Sequence, residues 1–115
     1  MIVMNSLHKK ETPWGYEIVW AKTDSYVGKI LHINPGQRLS LQYHNVKEET
    51  IYVFSGTLRN YDEMGNVGLY HPGEVLHIKP GVIHRFGAGE NPVELMEVST
   101  NHLDDVVRLQ DDYNR

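Results

Sequence analysis

No cysteine occurs among the 115 residues. That absence removes disulfide staples, thiolate metal sites and cysteine nucleophiles together, and it fits a reducing, cytoplasmic setting. Long apolar runs are missing too. The opening MIVMNSLHKKE turns polar after four residues, too soon for the apolar core of a secretion signal. Nothing approaches the ~20 apolar residues of a membrane helix, so neither a leader nor a membrane partner is expected. Positive charge is in deficit: 11 Lys and Arg stand against 15 Asp and Glu, for a formal net charge of −4. The basic residues are scattered, so no extended positive field is available to neutralise nucleic-acid phosphates. A local basic pocket for one small phosphate is still compatible with this composition. Helical periodicity is the last absence: nothing before residue 100 has the length and 3.6-residue period of a helix.

What is present is a series of short β-branched and aromatic stretches, cut by turn residues. Pro13-Trp14-Gly15, Asn34-Pro35-Gly36, Ser55-Gly56, Met64-Gly65-Asn66, His71-Pro72-Gly73, Lys79-Pro80-Gly81 and Glu90-Asn91-Pro92 supply the turns. Between them, Tyr16–Trp20, Val27–Ile33, Leu39–Tyr43, Thr50–Phe54, Gly56–Tyr61, Val75–Ile78, Ile83–Phe86 and Val93–Val98 read as strands. From Leu103 onward the tail reads as a short strand or an irregular segment. The pattern predicts an all-β barrel or sandwich. One domain over residues 1–115 is expected, long enough for a core without staples. Its core should cover about residues 26–100, with an N-terminal strand and the C-terminal tail packed on it.

Strand parity then marks one stretch as unusual. Within LQYHNVKEET, Gln42 and His44 share a face, and Ser40 and Arg38 share it if the strand runs straight. An inward face with that much polarity predicts a lined cavity rather than a solid core.

The spacing around this stretch has a parallel. Gly36, Gln42, His44, Glu49 and Gly56 follow the order G-x5-H-x-H-x(3,4)-E-x6-G, with Gln42 in place of the first histidine. Gly81 and His84 keep the centre of a second pattern, G-x5-P-x-G-x2-H-x3-N, with Lys79 and Ala88 at its proline and asparagine positions. These motifs resemble those of the cupin superfamily, whose double-stranded β-helix, or jelly-roll, barrel aims four ligands inward. The Gln-x-His form is similar to the cupin domain of type II mannose-6-phosphate isomerases, also found at the C-terminus of bifunctional mannose-1-phosphate guanylyltransferases. Pro13-Trp14-Gly15, Pro35-Gly36-Gln37-Arg38-Leu39-Ser40-Leu41-Gln42, Val53-Phe54-Ser55-Gly56-Thr57, Gly81-Val82-Ile83-His84-Arg85 and Asp111-Asp112-Tyr113-Asn114-Arg115 carry that resemblance along the chain.

The resemblance implies a metal site of Gln42, His44, Glu49 and His84. Two imidazoles, a carboxylate and an amide oxygen suit a borderline divalent ion, zinc foremost, with manganese, cobalt, nickel or iron as alternatives. The implied reaction interconverts mannose 6-phosphate and fructose 6-phosphate. It needs a general base, for which Glu97 and His77 are the candidates, and cations for the phosphate. Arg85 leads among the cations and is counted with the catalytic set; Arg38 and Lys29 follow. Other cupin chemistries remain as alternatives: nucleotide-sugar isomerisation or epimerisation, dioxygenation at iron, or carbohydrate binding without catalysis. No Gly-rich phosphate loop is present, so nucleotidyl transfer is not expected of these residues. His8, His32, His71 and His102 are expected to be surface or structural residues, and Trp14, Tyr16, Tyr52 and Phe54 to pack. The resemblance also implies a homodimer.

Overall fold

Turn residues divide the chain into eleven strands in a computed structural model that describes residues 1–115. They are β1 (His8–Thr12), β2 (Gly15–Lys22), β3 (Val27–Ile33), β4 (Leu41–Tyr43), β5 (Glu49–Ser55), β6 (Leu58–Tyr61), β7 (Val67–Tyr70), β8 (Val75–Ile78), β9 (Arg85–Ala88), β10 (Val93–Ser99) and β11 (Val107–Gln110). One layer is a six-stranded sheet in the order β1-β2-β3-β10-β5-β8. The other is formed by β7-β6-β9 and the pair β11-β4. Bridges between Arg38 and Gly87 and between Gln42 and His84 join these two parts. All named pairings are antiparallel. The result is all-β, as the strand pattern predicted, and a jelly roll, as the cupin resemblance implied.

Three strands escape the hydrophobic pattern. β1 and β7 are edge strands with little burial, so they lack the alternation that marks a half-buried strand. Their pairing comes from backbone bonds to β2 and β6. β11 is also largely exposed and is held by β4.

Alternation along β3, β5 and β10 divides the interior into two zones. Inward positions at one end are Ile33, Val53, Val93 and Leu95, all at or near zero exposure. With Trp14, Leu58 and Phe86 they build the apolar core, each large side chain stabilising by roughly 1.5–3 kcal/mol on burial. At the other end the same inward rows change to Lys29, Glu49, Glu97 and Ser99. Register brings these together: Glu97 lies opposite Lys29, and Ser99 opposite Glu49. Buried charge of this kind survives only when paired.

Trp14 packs in the core as expected. Tyr16 stacks on His32 with ring centroids 4.7 Å apart. Tyr52 and Phe54 do not pack inward: they are outward residues of β5, 42% and 57% exposed. No helix of the chain is long and apolar enough to cross a membrane.

Candidate metal centre and its cavity

The polar end of the barrel opens into a cavity of about 130 Å³. Gln42 and His84 stand side by side on its wall, because their backbones exchange both hydrogen bonds, Gln42 N–H to His84 O at 3.0 Å and the reverse at 2.9 Å. Gly81 sets up this approach. Its φ of +85° is left-handed, which glycine adopts without a Cβ penalty, and its N–H donates to the His44 carbonyl at 2.7 Å. The second motif thereby docks on the first despite Lys79 and Ala88.

Three of the four expected ligands converge. Ligand atoms of His44, Glu49 and His84 all lie within 4.8 Å of one another, and all three residues are buried. Glu49 Oε1 is 3.3 Å from His84 Nε2 and 3.8 Å from His44 Nε2. Each imidazole turns its other nitrogen to a backbone carbonyl: His44 Nδ1 to Asp105 O at 2.5 Å, His84 Nδ1 to Val82 O at 2.9 Å. With Nδ1 donating, a neutral ring presents the Nε2 lone pair to the centre. Burial pushes the His44 imidazole down from its ordinary pKa, against the opposing pulls of the Asp105 carbonyl and Glu49, which favours that neutral form. Gln42 spends its amide nitrogen on Ser40, at 3.1 Å to Oγ and 3.3 Å to O, leaving its oxygen as the acceptor. It lines the same cavity. Two fixed imidazoles, a carboxylate and an amide oxygen fit a borderline divalent cation.

Lys47 does not stand out in the sequence, where NVKEE reads as a solvated loop. In the fold it is 5% exposed. Its Nζ lies 2.9 Å from Glu49 Oε2 and 3.1 Å from Glu97 Oε2. Burial alone would lower the Lys47 pKa, but Glu97 and Glu49 outweigh it and hold the ammonium charged. Burial would likewise raise Glu49, but a hydrogen bond from His84 Nε2, which a bound ion would displace, and the Lys47 charge bring it down to about 2. The ammonium thus takes one Glu49 oxygen and leaves the other facing the imidazoles. Glu97 also accepts from Ser99 Oγ at 2.9 Å, on the same oxygen that Lys47 holds.

A second unanticipated element comes from the tail. Asp105 accepts from three successive backbone N–H groups, Asn45 at 3.0 Å, Val46 at 2.7 Å and Lys47 at 2.8 Å. Those bonds, largest from Lys47, hold its carboxyl at about 2. The tail thereby fixes the loop that carries His44 and Lys47.

The remaining expected residues divide. Glu97 and Lys29 line the cavity, Lys29 with Glu17 at 3.6 Å. Arg85 and Arg38 do not line it. Arg85 points to the opposite side of β9 from His84, where Nε donates to Leu39 O at 2.8 Å and Nη2 reaches Asp112 at 3.1 Å. Arg38 grips the same carboxylate with two bonds, at 2.7 and 3.1 Å. Both arginines therefore anchor the tail, because alternation along a strand cannot aim neighbours such as His84 and Arg85 at one cavity. His77 is an outward residue of β8 paired with Glu48, both side chains 48% exposed, and it too lies outside the cavity. His32, His71 and His102 have local partners Glu94, Glu74 and Thr100.

Barrel and site together define a cupin. Residues 3–111 match the family described as mannose-6-phosphate isomerase C-terminal, and the chain belongs to that family. It is 37% identical over 108 residues to the mannose-1-phosphate guanylyltransferase of Salmonella typhimurium, a match covering 90% of this chain and 22% of that protein. The chain thus spans about a fifth of the length of the curated relatives it matches. Among solved structures, the polyketide cyclase RemF from Streptomyces resistomycificus superposes with a TM-score of 0.81 at 18% identity, over 95% of this chain and 86% of that one. A cupin-superfamily sugar phosphate isomerase from Silicibacter pomeroyi gives 0.66 at 22% identity, over 74% of this chain and 58% of that one. At such identities the structural likeness establishes the fold.

Proposed function

We propose that this domain is a divalent-metal-dependent sugar-phosphate isomerase that interconverts mannose 6-phosphate and fructose 6-phosphate, with zinc as the preferred ion. The observation that carries this reading is the meeting, in one buried cavity, of His44, Glu49 and His84 with the Glu97–Lys47 pair. Family membership supports a mannose phosphate as the substrate.

His44 Nε2, His84 Nε2, Glu49 Oε1 and the Gln42 amide oxygen would hold the ion. When bound, such an ion polarises a carbonyl and offsets negative charge developing on its oxygen. The chain's own residues perform the proton transfer. Glu97 has one oxygen tied to Lys47 and Ser99; the other takes the proton from C2 of the aldose and returns it to C1, while the C2 hydroxyl proton passes to the C1 oxygen, giving the ketose. Lys47 keeps Glu97 oriented. Burial of both groups excludes bulk water from the transfer. A carboxylate base inside the cavity favours catalysis over simple carbohydrate binding, and the glutamine ligand argues against a dioxygenase with a full histidine set.

The test is direct. Bound metal would be quantified, and mannose 6-phosphate turnover assayed after loading with zinc, manganese, cobalt, nickel or iron. Turnover that Glu97→Gln abolishes while metal content stays unchanged is the expected result. Correctly folded, metal-loaded protein with no turnover for any ion would overturn the assignment.

A further inference from the structure

Five cationic side chains line the cavity: Lys10, Lys29, Lys47, Arg108 and Arg115. Three are already neutralised. Lys29 pairs with Glu17, Lys47 with Glu49 and Glu97, and Arg115 with Asp111. Lys10 and Arg108 have no carboxylate within ion-pair distance, so theirs are the charges left for a ligand.

Register fixes where Arg108 sits. It lies directly opposite Gln42 in the β11–β4 pair, and directly opposed residues of an antiparallel pair project to the same face. The Arg108 side chain is thus on the cavity side, on the same face as Gln42. Lys10, exposed on β1 opposite Glu17 of β2, lines the same cavity. Thr12, on the same face two residues on, also lines the cavity, and its hydroxyl is buried without a partner in the chain. A buried polar atom left unpaired calls for an explanation, and a ligand oxygen at the mouth supplies one.

We propose that Arg108, assisted by Lys10, forms an anion subsite at the cavity mouth that takes the phosphate of a small phosphorylated ligand. This deepens the isomerase reading and rests on it for the identity of the sugar. The guanidinium fork suits two phosphate oxygens at once. The exposed position of Arg108 leaves the anion partly hydrated, so binding weakens as salt rises. Tail residues 103–115 then do more than cover the barrel: they present the recognition charge, while Arg38 and Arg85 hold the segment through Asp112.

Calorimetry on metal-loaded protein would test this with three probes: inorganic phosphate, mannose 6-phosphate and mannose. For Arg108→Gln we expect about tenfold or greater loss of affinity for both phosphorylated probes, unchanged mannose binding and unchanged metal content. Arg108→Lys should recover part of the loss, and Lys10→Gln should give a smaller one. Wild-type protein that binds neither phosphorylated probe, or an Arg108→Gln variant with full metal content and unchanged phosphate affinity, would overturn the subsite. If the wild type turns over no sugar phosphate yet binds phosphate through Arg108, the isomerase reading fails and the subsite stands. If Arg108→Gln sustains turnover with an unaltered KM, the isomerase reading stands and the subsite fails.

Discussion

The cavity has two walls that differ in kind. On one, Gln42, His84, His44 and Glu49 belong to a paired backbone and a short loop, and the ionisable groups there are buried and neutralised within the chain. On the other, the tail contributes Leu103, Val106 and Arg108, half-buried or exposed, with one cation left unpaired. The first wall has the low dielectric and fixed geometry that proton transfer and metal ligation need. The second has the solvent contact that lets a charged ligand arrive and leave without a large desolvation penalty. Asp105 ties one wall to the other.

The sharpest way to break the first wall is Lys47→Met. Lys47, Glu49 and Glu97 side chains are 7%, 3% and 4% exposed, so removing the ammonium leaves two carboxylates buried together. Losing one partner of a buried ion pair costs about 3–5 kcal/mol, and urea denaturation of the metal-free protein should show a loss of that order. Adding Glu97→Gln should recover part of it, since the remaining repulsion goes with that charge. A Lys47→Met protein as stable as the wild type would mean that water, rather than Lys47, neutralises the pair.

His84→Ala comes next and acts on ligation. Removing one buried imidazole should weaken binding of a divalent ion by at least about 100-fold, since even residues that only orient ligands cost 10–100-fold. Equilibrium dialysis followed by elemental analysis reads this without any assay of turnover. Full metal retention would remove His84 from the ligand set.

Asp105 tests the tie between the walls. Asp105→Asn should cost about tenfold in metal affinity by loosening the His44 loop, with ligands untouched. The pH dependence has a definite sign. The carboxyl is held at about 2, below its ordinary 3.8, so the folded chain binds this proton more weakly than the unfolded chain does. Its contribution is complete above the unfolded value and is lost as pH falls through about 2. The stability gap between wild type and variant should therefore close across that acid window, as followed by denaturation at stepped pH. A constant gap would detach the effect from the Asp105 charge.

The two walls are also unequally legible in the sequence. Gln42 sits on one strand, His44 in the loop after it, Glu49 at the start of the next strand, and His84 after a Pro-Gly turn, so the local spacing that resembles the cupin motifs is enough to find them. Lys47 lies inside that same window and stays hidden, because a lysine between an asparagine-valine pair and two glutamates has the composition of a solvated loop. Only its burial gives it meaning. Arg85 misleads for the opposite reason: adjacency to His84 suggests a shared site, whereas strand alternation sends the two side chains to different faces. The tail is the least legible part. Asp105 acts on residues about sixty positions earlier, and Arg108 reaches the cavity through a pairing with β4 that no hydrophobic alternation announces. Among the strands, those with a buried face are readable and the exposed edges β1 and β7 are not.

The smallest expected effect separates the interior of the barrel from its outer surface. His77 and Glu97 are the two candidate bases, and the fold puts them on opposite sides of the same sheet. Glu97 is inward on β10 beside Lys47, whereas His77 is outward on β8 with Glu48. An exposed ion pair contributes about 0–1 kcal/mol, and a surface substitution away from any site stays within about 0.5 kcal/mol. His77→Ala should then leave denaturation midpoint, metal content and mannose 6-phosphate turnover all near wild type. Should turnover instead fall sharply with metal content intact, the proton would be moving on the outer face of the sheet, and Glu97 would be reduced to a partner for Lys47.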